Sequence, residues 1–157
     1  AQLDRFLLHV LVGSPNSEAE TKILQLVRNE SSQASAPAQT RITQQNIFAA
    51  RQEMLSLHMA EPVERYIVEL ILATRNPPER IKPWLEFGAS PRGTIGLDMC
   101  SRALAWLNNR DFVTPEDVQS VAHDVLRHRL ILSFDADAQG ITTDQVIDDL
   151  IALVPVP

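Results

Sequence analysis

The sequence has little cysteine and no excess of positive charge. Cys100 is the only cysteine among 157 residues, so no internal disulfide can form, which is typical of a reducing compartment. The formal net charge is -6, whereas a dedicated nucleic-acid-binding module needs a basic face that neutralises phosphates. We therefore expect no nucleic-acid partner.

Long apolar runs and a targeting leader are also missing. The longest apolar run near the start, residues 6–12, is interrupted by His9 and is far too short to span a bilayer. The pattern of a secretory leader, in which charged residues are followed by an apolar region and a small-residue cleavage site, is also not found. These absences predict a cytoplasmic protein with no membrane partner.

The sequence contains no phosphate loop of the form G-x-x-x-x-G-K-[ST], the pattern that cradles phosphates in many ATPases. It also lacks an acidic strand of the kind that holds Mg²⁺ beside such a loop. We predict that this chain alone does not hydrolyse ATP.

Residues 3–12 are mostly apolar and are followed by turn-forming residues at 13–16, which predicts one short buried strand. A lone strand cannot satisfy its own backbone groups, and the rest of the sequence supplies no obvious sheet. We therefore expect a piece of a longer protein, consistent with a start at Ala1 without methionine. Within this piece, the strand would be covered by the helices or paired with a second copy.

The remaining sequence predicts helices separated by one linker. A capping box at residues 17–20 opens the first helix, and residues 31–40 are small, polar and without periodicity, which indicates a linker. We predict three parts: residues 1–32 with the strand and first helix, a linker at 33–42, and a helical bundle at 43–157. The fold class is mainly α.

Start signals divide the bundle into five helices. These helices begin near Thr43, Pro62, Ser90, Thr114 and Thr142. The helix after Ser90 is apolar almost all round, so it should be central to the bundle.

Two details of the bundle follow from the same sequence. Gly93 and Gly96 lower the helix propensity of the central helix, so we expect a close approach to a neighbour there. Residues 130–134 could form a short strand that pairs with residues 112–113.

The most informative stretch is residues 88–92, which read Gly-Ala-Ser-Pro-Arg. Ser90 is the expected N-cap and Pro91 the first helical residue, so Arg92 would lie in the first turn, at the positive end of the helix dipole. An anion placed there would satisfy the guanidinium and the free backbone N–H groups. A phosphate sensor is one interpretation, and a solvated or helix-pairing arginine is the other.

Other side chains give weaker signals. His123 and His128 are five residues apart and do not share a helical face, so no metal site is expected. Cys100 falls on the apolar helix and should be a buried, inert thiol. Trp84 and Phe87 could contact a partner or seal the end of the bundle, and we favour the second role.

Five runs of the sequence resemble, in the same order, motifs of MoxR-type AAA+ ATPases. Together they extend from the first residue to about Leu132. The runs are 1–6 (AQLDRF), 73–75 (ATR), 88–92 (GASPR), 110–118 (RDFVTPEDV) and 124–130 (DVLRHRL).

The resemblance implies a fold and a mechanical role. The helical bundle would be the lid of an AAA+ protein, preceded by a strand–helix remnant of the α/β nucleotide-binding core. The intact protein would use ATP and Mg²⁺ to remodel protein complexes as a chaperone, although no cofactor is expected on this chain alone. It would form a homo-oligomeric ring, expected to be a hexamer, and act on a client or with a von Willebrand factor A domain protein.

The resemblance also assigns site residues. Arg92 would be sensor 2, which with Ser90 and Pro91 meets the γ-phosphate of ATP bound in the same subunit. Arg5 would be an arginine finger that acts in trans on the neighbouring subunit; from the residues alone, an ion pair of Arg5 with Asp4 is an equal alternative. Two departures from the family are Gly93, where alanine is usual, and a long loop at 76–87.

Two other functional classes remain open at this stage. One is a stand-alone helical interaction module that binds no nucleotide, which the missing phosphate loop would suit. The other is a helix-turn-helix DNA-binding domain built around Thr114. The negative net charge of the sequence argues against this class.

Overall fold

The structure, a computed structural model, describes residues 2–32 and 41–157. For residues 31 and 32 it describes the backbone but not the side chains. Its described part is mainly helical, as the sequence predicts. Most of the predicted linker at 33–42 lies outside the described residues. The helices are α1 (Ser17–Ser32), α2 (Gln44–Ser56), α3 (Glu61–Arg75), α4 (Pro91–Leu107), α5 (Pro115–Leu126), α6 (Phe134–Ala138) and α7 (Thr143–Leu153), and the strands are β1 (Leu85–Phe87) and β2 (Ile131–Leu132).

The chain packs as two compact units. One consists of residues 1–10 and 50–157, and the other of residues 11–49. In the smaller unit, the side-chain oxygen of Asn16 accepts a hydrogen bond from the amide of Ala19 at 2.9 Å. The first helix is therefore capped by Asn16, one residue before the capping box that the sequence predicts.

The larger unit has one core between α3, α4, α5 and α7. The most extensive packing is that of α4 on α5, and α4 also packs on α3, so the predicted central position of α4 is confirmed. It is not buried all round, since Ile95 and Leu107 are exposed. Fully buried core side chains include Leu70, Ile71, Ile81, Leu97, Val125, Leu126, Ile147 and Leu150.

Four of the five predicted helix starts are formed by side-chain caps, whereas α3 begins at Glu61 after Ala60, which forms no side-chain cap. The amide of Asn46 donates to the Thr43 hydroxyl at 3.2 Å. The amide of Arg92 donates to the Ser90 hydroxyl, also at 3.2 Å. Thr114 and Thr142 each form a capping box with the residue three positions later. These contacts satisfy N–H groups that would otherwise lack partners in the first turn of each helix.

The predicted strand at residues 3–12 is not formed. Leu3–Arg5 is instead a turn of 3-10 helix, and the amide of His9 donates to the carbonyl of Asp124 at 2.8 Å. The reason is that side chains of the segment after α5 bind the backbone of this stretch, as described below, and replace the missing sheet. The helices do not cover the stretch, because apolar side chains such as those of Leu3, Phe6 and Val10 stay exposed. Pairing with a second copy remains a prediction.

The predicted short strand near residue 131 exists but has a different partner. β2 pairs antiparallel with β1, with Leu85 opposite Leu132 and Phe87 opposite Ile131. Residues 112–113 were the expected partner, and Phe112 instead forms an isolated bridge with His58. No helix in the described part of the chain combines the length and the apolar character required to cross a bilayer.

Candidate functional site

The first turn of α4 is fixed by its contacts with the end of α3. The Thr74 hydroxyl donates to the carbonyl of Ile71 at 2.7 Å and accepts from the amide of Ala89 at 3.0 Å. Nε of Arg75 donates to the carbonyl of Ala89 at 2.8 Å. The two sequence motifs at 73–75 and 88–92 therefore form one structural unit that sets where α4 begins.

Glycine at position 88 is required by this arrangement. A β-carbon there would lie 2.3 Å from the carbonyl oxygen of Thr74, which is closer than any tolerated contact. Within α4, the same test at Gly93 and Gly96 gives 2.9 Å to Ile71 Cδ1 and 3.0 Å to Val125 Cγ1. The close approach expected at these two glycines is thus present, and it is made by neighbouring side chains.

The predicted phosphate-sensing residues lie together at the start of α4. Ser90 is the N-cap, and Pro91 occupies the first turn. The side chain of Arg92 is 62% exposed, so its guanidinium lies at the surface of the bundle and is not buried in it. The geometry is suited to an anion, because the positive end of the helix dipole and a guanidinium face the same space.

An internal carboxylate already occupies part of this space. Both oxygens of Asp4 accept from the Ser90 hydroxyl, at 3.0 and 2.8 Å, and Oδ2 lies 3.2 Å from Nη1 of Arg92. Partial burial by itself would raise the pKa of Asp4, but the Ser90 hydroxyl, Arg92 and the charge of Arg129 hold it below its ordinary value. Asp4 is therefore an anionic partner at the start of α4.

Arg129 holds the N-terminal segment from the other side. Its side chain is only 2% exposed, and Nε lies 3.4 Å from Oδ1 of Asp4. Its Nη atoms donate to the carbonyls of Phe6 at 2.7 Å and Leu7 at 3.1 Å, and also to that of Val125. The backbone oxygens of the segment thus find charged donors where a strand would offer amides.

The residues on either side of Arg129 extend this contact. Nη1 of Arg127 donates to the carbonyl of His9 at 2.6 Å and to Asp124 at 2.8 Å, while Nε and Nη2 donate to Asp144. Nε2 of His128 lies 2.9 Å from the carbonyl oxygen of Phe6. The three basic side chains at 127–129 therefore bind backbone oxygens of residues 6–9.

Arg5, the predicted arginine finger, is separate from this network. Its guanidinium carbon lies 5.9 Å from the centroid of the Phe6 ring, and the residue is exposed. Within residues 2–32 and 41–157 it forms no ion pair, because the nearby carboxylate of Asp4 is taken by Arg92 and Arg129. The alternative of an Asp4–Arg5 pair is therefore not realised, and the cation faces outward.

The weaker candidates of the sequence have structural roles. His123 lies 2.9 Å from Asp148, and the described residues contain no group of three or more metal-ligating side chains. Burial raises the pKa of the Cys100 thiol, which suits an inert side chain. Trp84 packs against the core, whereas Phe87 is 59% exposed, so only the first closes the bundle.

Sequence reasoning did not find the roles of Asp4 and Arg129. Because Asp4 is adjacent in sequence to Arg5, the sequence suggested an Asp4–Arg5 pair, whereas Asp4 pairs with Arg92 and Arg129. A signal for Arg129 was present in three consecutive basic side chains at 127–129, which is more charge than the end of one helix requires.

Comparisons with known proteins connect this geometry to a family. Residues 78–150 match the family described as the AAA lid domain. The chain is 35% identical to Chaperone MoxR1 of Mycobacterium tuberculosis over 162 aligned positions, covering all of this chain and 42% of that protein. It is 32% identical to the uncharacterised protein YeaC of Bacillus subtilis, covering all of this chain and 47% of that protein.

A solved structure gives the same result for the fold. A candidate ATPase from Cytophaga hutchinsonii superposes with a TM-score of 0.93 at 34% identity, covering 99% of this chain and 48% of that chain. This chain therefore spans less than half the length of the relatives it matches along its whole sequence.

Proposed function

This chain fits the C-terminal part of a MoxR-type AAA+ ATPase and contains an AAA lid domain, and on this basis we propose that it senses ATP for the intact protein. In that role the bundle is the lid, and the first residues are the end of the nucleotide-binding core. The boundaries at 32 and 43 are part of this proposal.

The observation that carries the proposal is the position of Arg92. Its exposed guanidinium lies in the first turn of α4, where an anion is favoured, and in the part of the chain that the structure describes its ion pair is with Asp4. The residues present fit a nucleotide, since Ser90 and Pro91 begin the same turn and the backbone is held rigidly through Thr74. We infer that Arg92 is the sensor 2 residue for the γ-phosphate of ATP bound in its own subunit.

Arg5 is proposed as the arginine finger for the neighbouring subunit. An exposed arginine without an ion pair in the described residues is suited to reach another chain, and its neighbours in sequence are anchored by Arg129. ATP with Mg²⁺ would supply the phosphoryl chemistry, and the charge of Arg5 would stabilise the transferring group. The role requires a ring of subunits, for which we propose a hexamer.

The purpose of the ring is proposed by analogy with the relatives. The name of the M. tuberculosis relative describes a chaperone, so we propose that ATP-driven movement of the lid remodels a client protein. A protein with a von Willebrand factor A domain is the partner class that we would test first.

The test uses the intact protein that contains this chain. Arg92→Ala is expected to reduce ATP turnover by about 10²-fold, and Arg5→Ala by about 10³-fold or more. Arg65→Ala is the matched control, because Arg65 is exposed and, among residues 2–32 and 41–157, its ion pair is with Glu61 one turn away. Unchanged turnover in both site variants would refute the proposal and favour an interaction module that uses no nucleotide.

A mixing experiment separates the two arginines. Subunits with Arg5→Ala are combined with subunits whose own nucleotide site has been disabled. Turnover should partly return, because some interfaces then join an intact Arg5 to an intact nucleotide site. In the corresponding mixture with Arg92→Ala subunits, the substitution alters the nucleotide site that would otherwise be intact. ATP turnover should therefore not return in that mixture. Equal recovery in both mixtures would contradict the assignment of Arg5 to a role in trans.

A further inference from the structure

The carboxylate of Asp4 lies where the anion of a ligand would be expected. It accepts from Ser90 with both oxygens and contacts Nη1 of Arg92 at 3.2 Å. These two residues are the first-turn groups that a phosphate would use at the start of α4. Asp4 therefore satisfies the same groups from within the chain.

The two arginines that contact Asp4 differ in how firmly they are held. Arg129 is 2% exposed and donates to backbone carbonyls of Phe6 and Leu7, so it cannot leave without unpairing buried groups. Arg92 is 62% exposed and makes one contact with Asp4 through a single nitrogen. Arg92 is consequently the partner that can be exchanged, while Arg129 and Ser90 keep the carboxylate in place.

We propose that Asp4 is a positioning residue that restrains Arg92 and competes with the nucleotide phosphate for its guanidinium. This inference rests on the proposed function, since it assumes that Arg92 meets a phosphate. When Arg92 turns to that phosphate, Asp4 retains the hydroxyl of Ser90 and the charge of Arg129. The 3-10 turn at Leu3–Arg5 then stays on the bundle, so the adjacent Arg5 keeps its position while Arg92 moves.

Removing the competing charge should strengthen nucleotide binding. Exposed ion pairs are weak, so releasing Arg92 is expected to tighten the binding of ATP by about twofold to fivefold. By thermodynamic reciprocity, the same factor describes how far bound ATP weakens the contact between Asp4 and Arg92.

The experiment measures the Kd of the intact protein for a slowly hydrolysed ATP analogue by equilibrium titration, so the result does not depend on turnover. The variants are Asp4→Asn, Arg92→Ala and the double variant. Asp135→Asn is the control, because it removes the same charge from an exposed position at the start of α6. Asp4→Glu keeps the carboxylate and should bind the analogue as the parent does.

The double variant decides the matter. Asp4→Asn should lower the Kd when Arg92 is present and leave it unchanged when Arg92 is alanine, because the competition acts only through that side chain. No change in either background, or the same change in both, would overturn the inference. If Asp4→Asn does not fold, Asp4→Ser replaces it in the same comparison.

If the proposed function itself is wrong, the Kd values follow a different pattern. If Arg92→Ala alone leaves the Kd unchanged, Arg92 does not meet the nucleotide, and the proposed function fails together with this inference. If Arg92→Ala weakens binding while Asp4→Asn has no effect, only the role of Asp4 is refuted.

Discussion

Gly88 lies directly against the backbone of Thr74, so closely that a β-carbon at position 88 would be 2.3 Å from the Thr74 carbonyl oxygen. The atom it would meet belongs to the backbone of α3 and cannot rotate away. This contact places the end of α3 beside the first turn of α4, which carries Arg92.

Gly88→Ala should therefore destabilise the bundle by about 3 kcal/mol, the upper range for overpacking. The free energy of unfolding, measured with urea, would show the loss. Gly13→Ala is the control, since its β-carbon would meet nothing within 4 Å, and its effect should be below about 1 kcal/mol. Equal effects of the two substitutions would contradict the predicted clash.

Asp117 is expected to be the most important carboxylate for stability at the start of α5. It is 3% exposed, binds two nitrogens of Arg110, one of them at 2.6 Å, and accepts from the amide of Thr114 at 2.9 Å. Asp117→Asn should lower the free energy of unfolding by about 2 kcal/mol, because it removes a charged acceptor and weakens the cap. A loss no larger than that of Asp135→Asn would count against this role.

The effect of Asp117 should also depend on pH. Burial would raise the pKa of Asp117, but its bonds to Arg110 and Thr114 hold the pKa below the ordinary 3.8. A carboxyl whose pKa is lowered by folding stabilises the protein above its unfolded pKa, and this contribution is lost as the pH falls through the folded value. The difference between parent and Asp117→Asn, followed by urea unfolding, should shrink below pH 3.8.

His128 should make the protein less stable as the pH falls below neutral. Burial lowers its pKa from 6.5, and although the carbonyl of Phe6 opposes this shift, Arg129 and His9 add to it. The unfolded chain then takes up a proton first, so the stabilising contribution is complete above pH 6.5 and declines below it. His128→Gln, whose amide can still donate to Phe6, should show a flatter dependence of unfolding free energy on pH.

The matched control for that measurement is His58→Gln. His58 contributes to the fold through its backbone, which bonds to Asp111 and Val113. A pH dependence that flattens equally in both variants would mean that His128 is not responsible.

Arg129→Met should release the N-terminal segment. The substitution keeps an apolar side chain of similar length but removes the donors to Phe6 and Leu7, at an expected loss of about 2–3 kcal/mol. Hydrogen exchange should become faster in residues 2–10, including the amide of His9 that bonds to Asp124. Arg65→Met removes an exposed pair with Glu61, and hydrogen exchange of residues 2–10 in this variant should match the parent.

Local features were predictable because their causes are close together in the sequence. The caps at Ser90, Thr114 and Thr142 depend on residues two or three positions away, so a short pattern contains all the required information. The motif at residues 88–92 was likewise sufficient to predict that Arg92 lies in the first turn of α4.

Short elements without periodicity could not be predicted in the same way. β1 has three residues, β2 has two and α6 has five, which are too few to show a repeat of apolar side chains. The strand expected at residues 3–12 was wrong for a related reason. An apolar run predicts that a segment is buried, but here the side chains of Leu3, Phe6 and Val10 are exposed. The basic side chains at 127–129 bind backbone oxygens of the segment instead.

By itself, the sequence determined the helical bundle, its caps and the presence of Arg92 in the first turn of α4. Only the tertiary structure decided that Asp4, 88 residues away along the chain, is the carboxylate that meets this guanidinium, and that Arg129 holds the segment that bears it. The physical reason is that a cap is a contact within one turn of backbone. An ion pair between distant segments exists only after the packing of α3, α4 and α5 has brought their ends together.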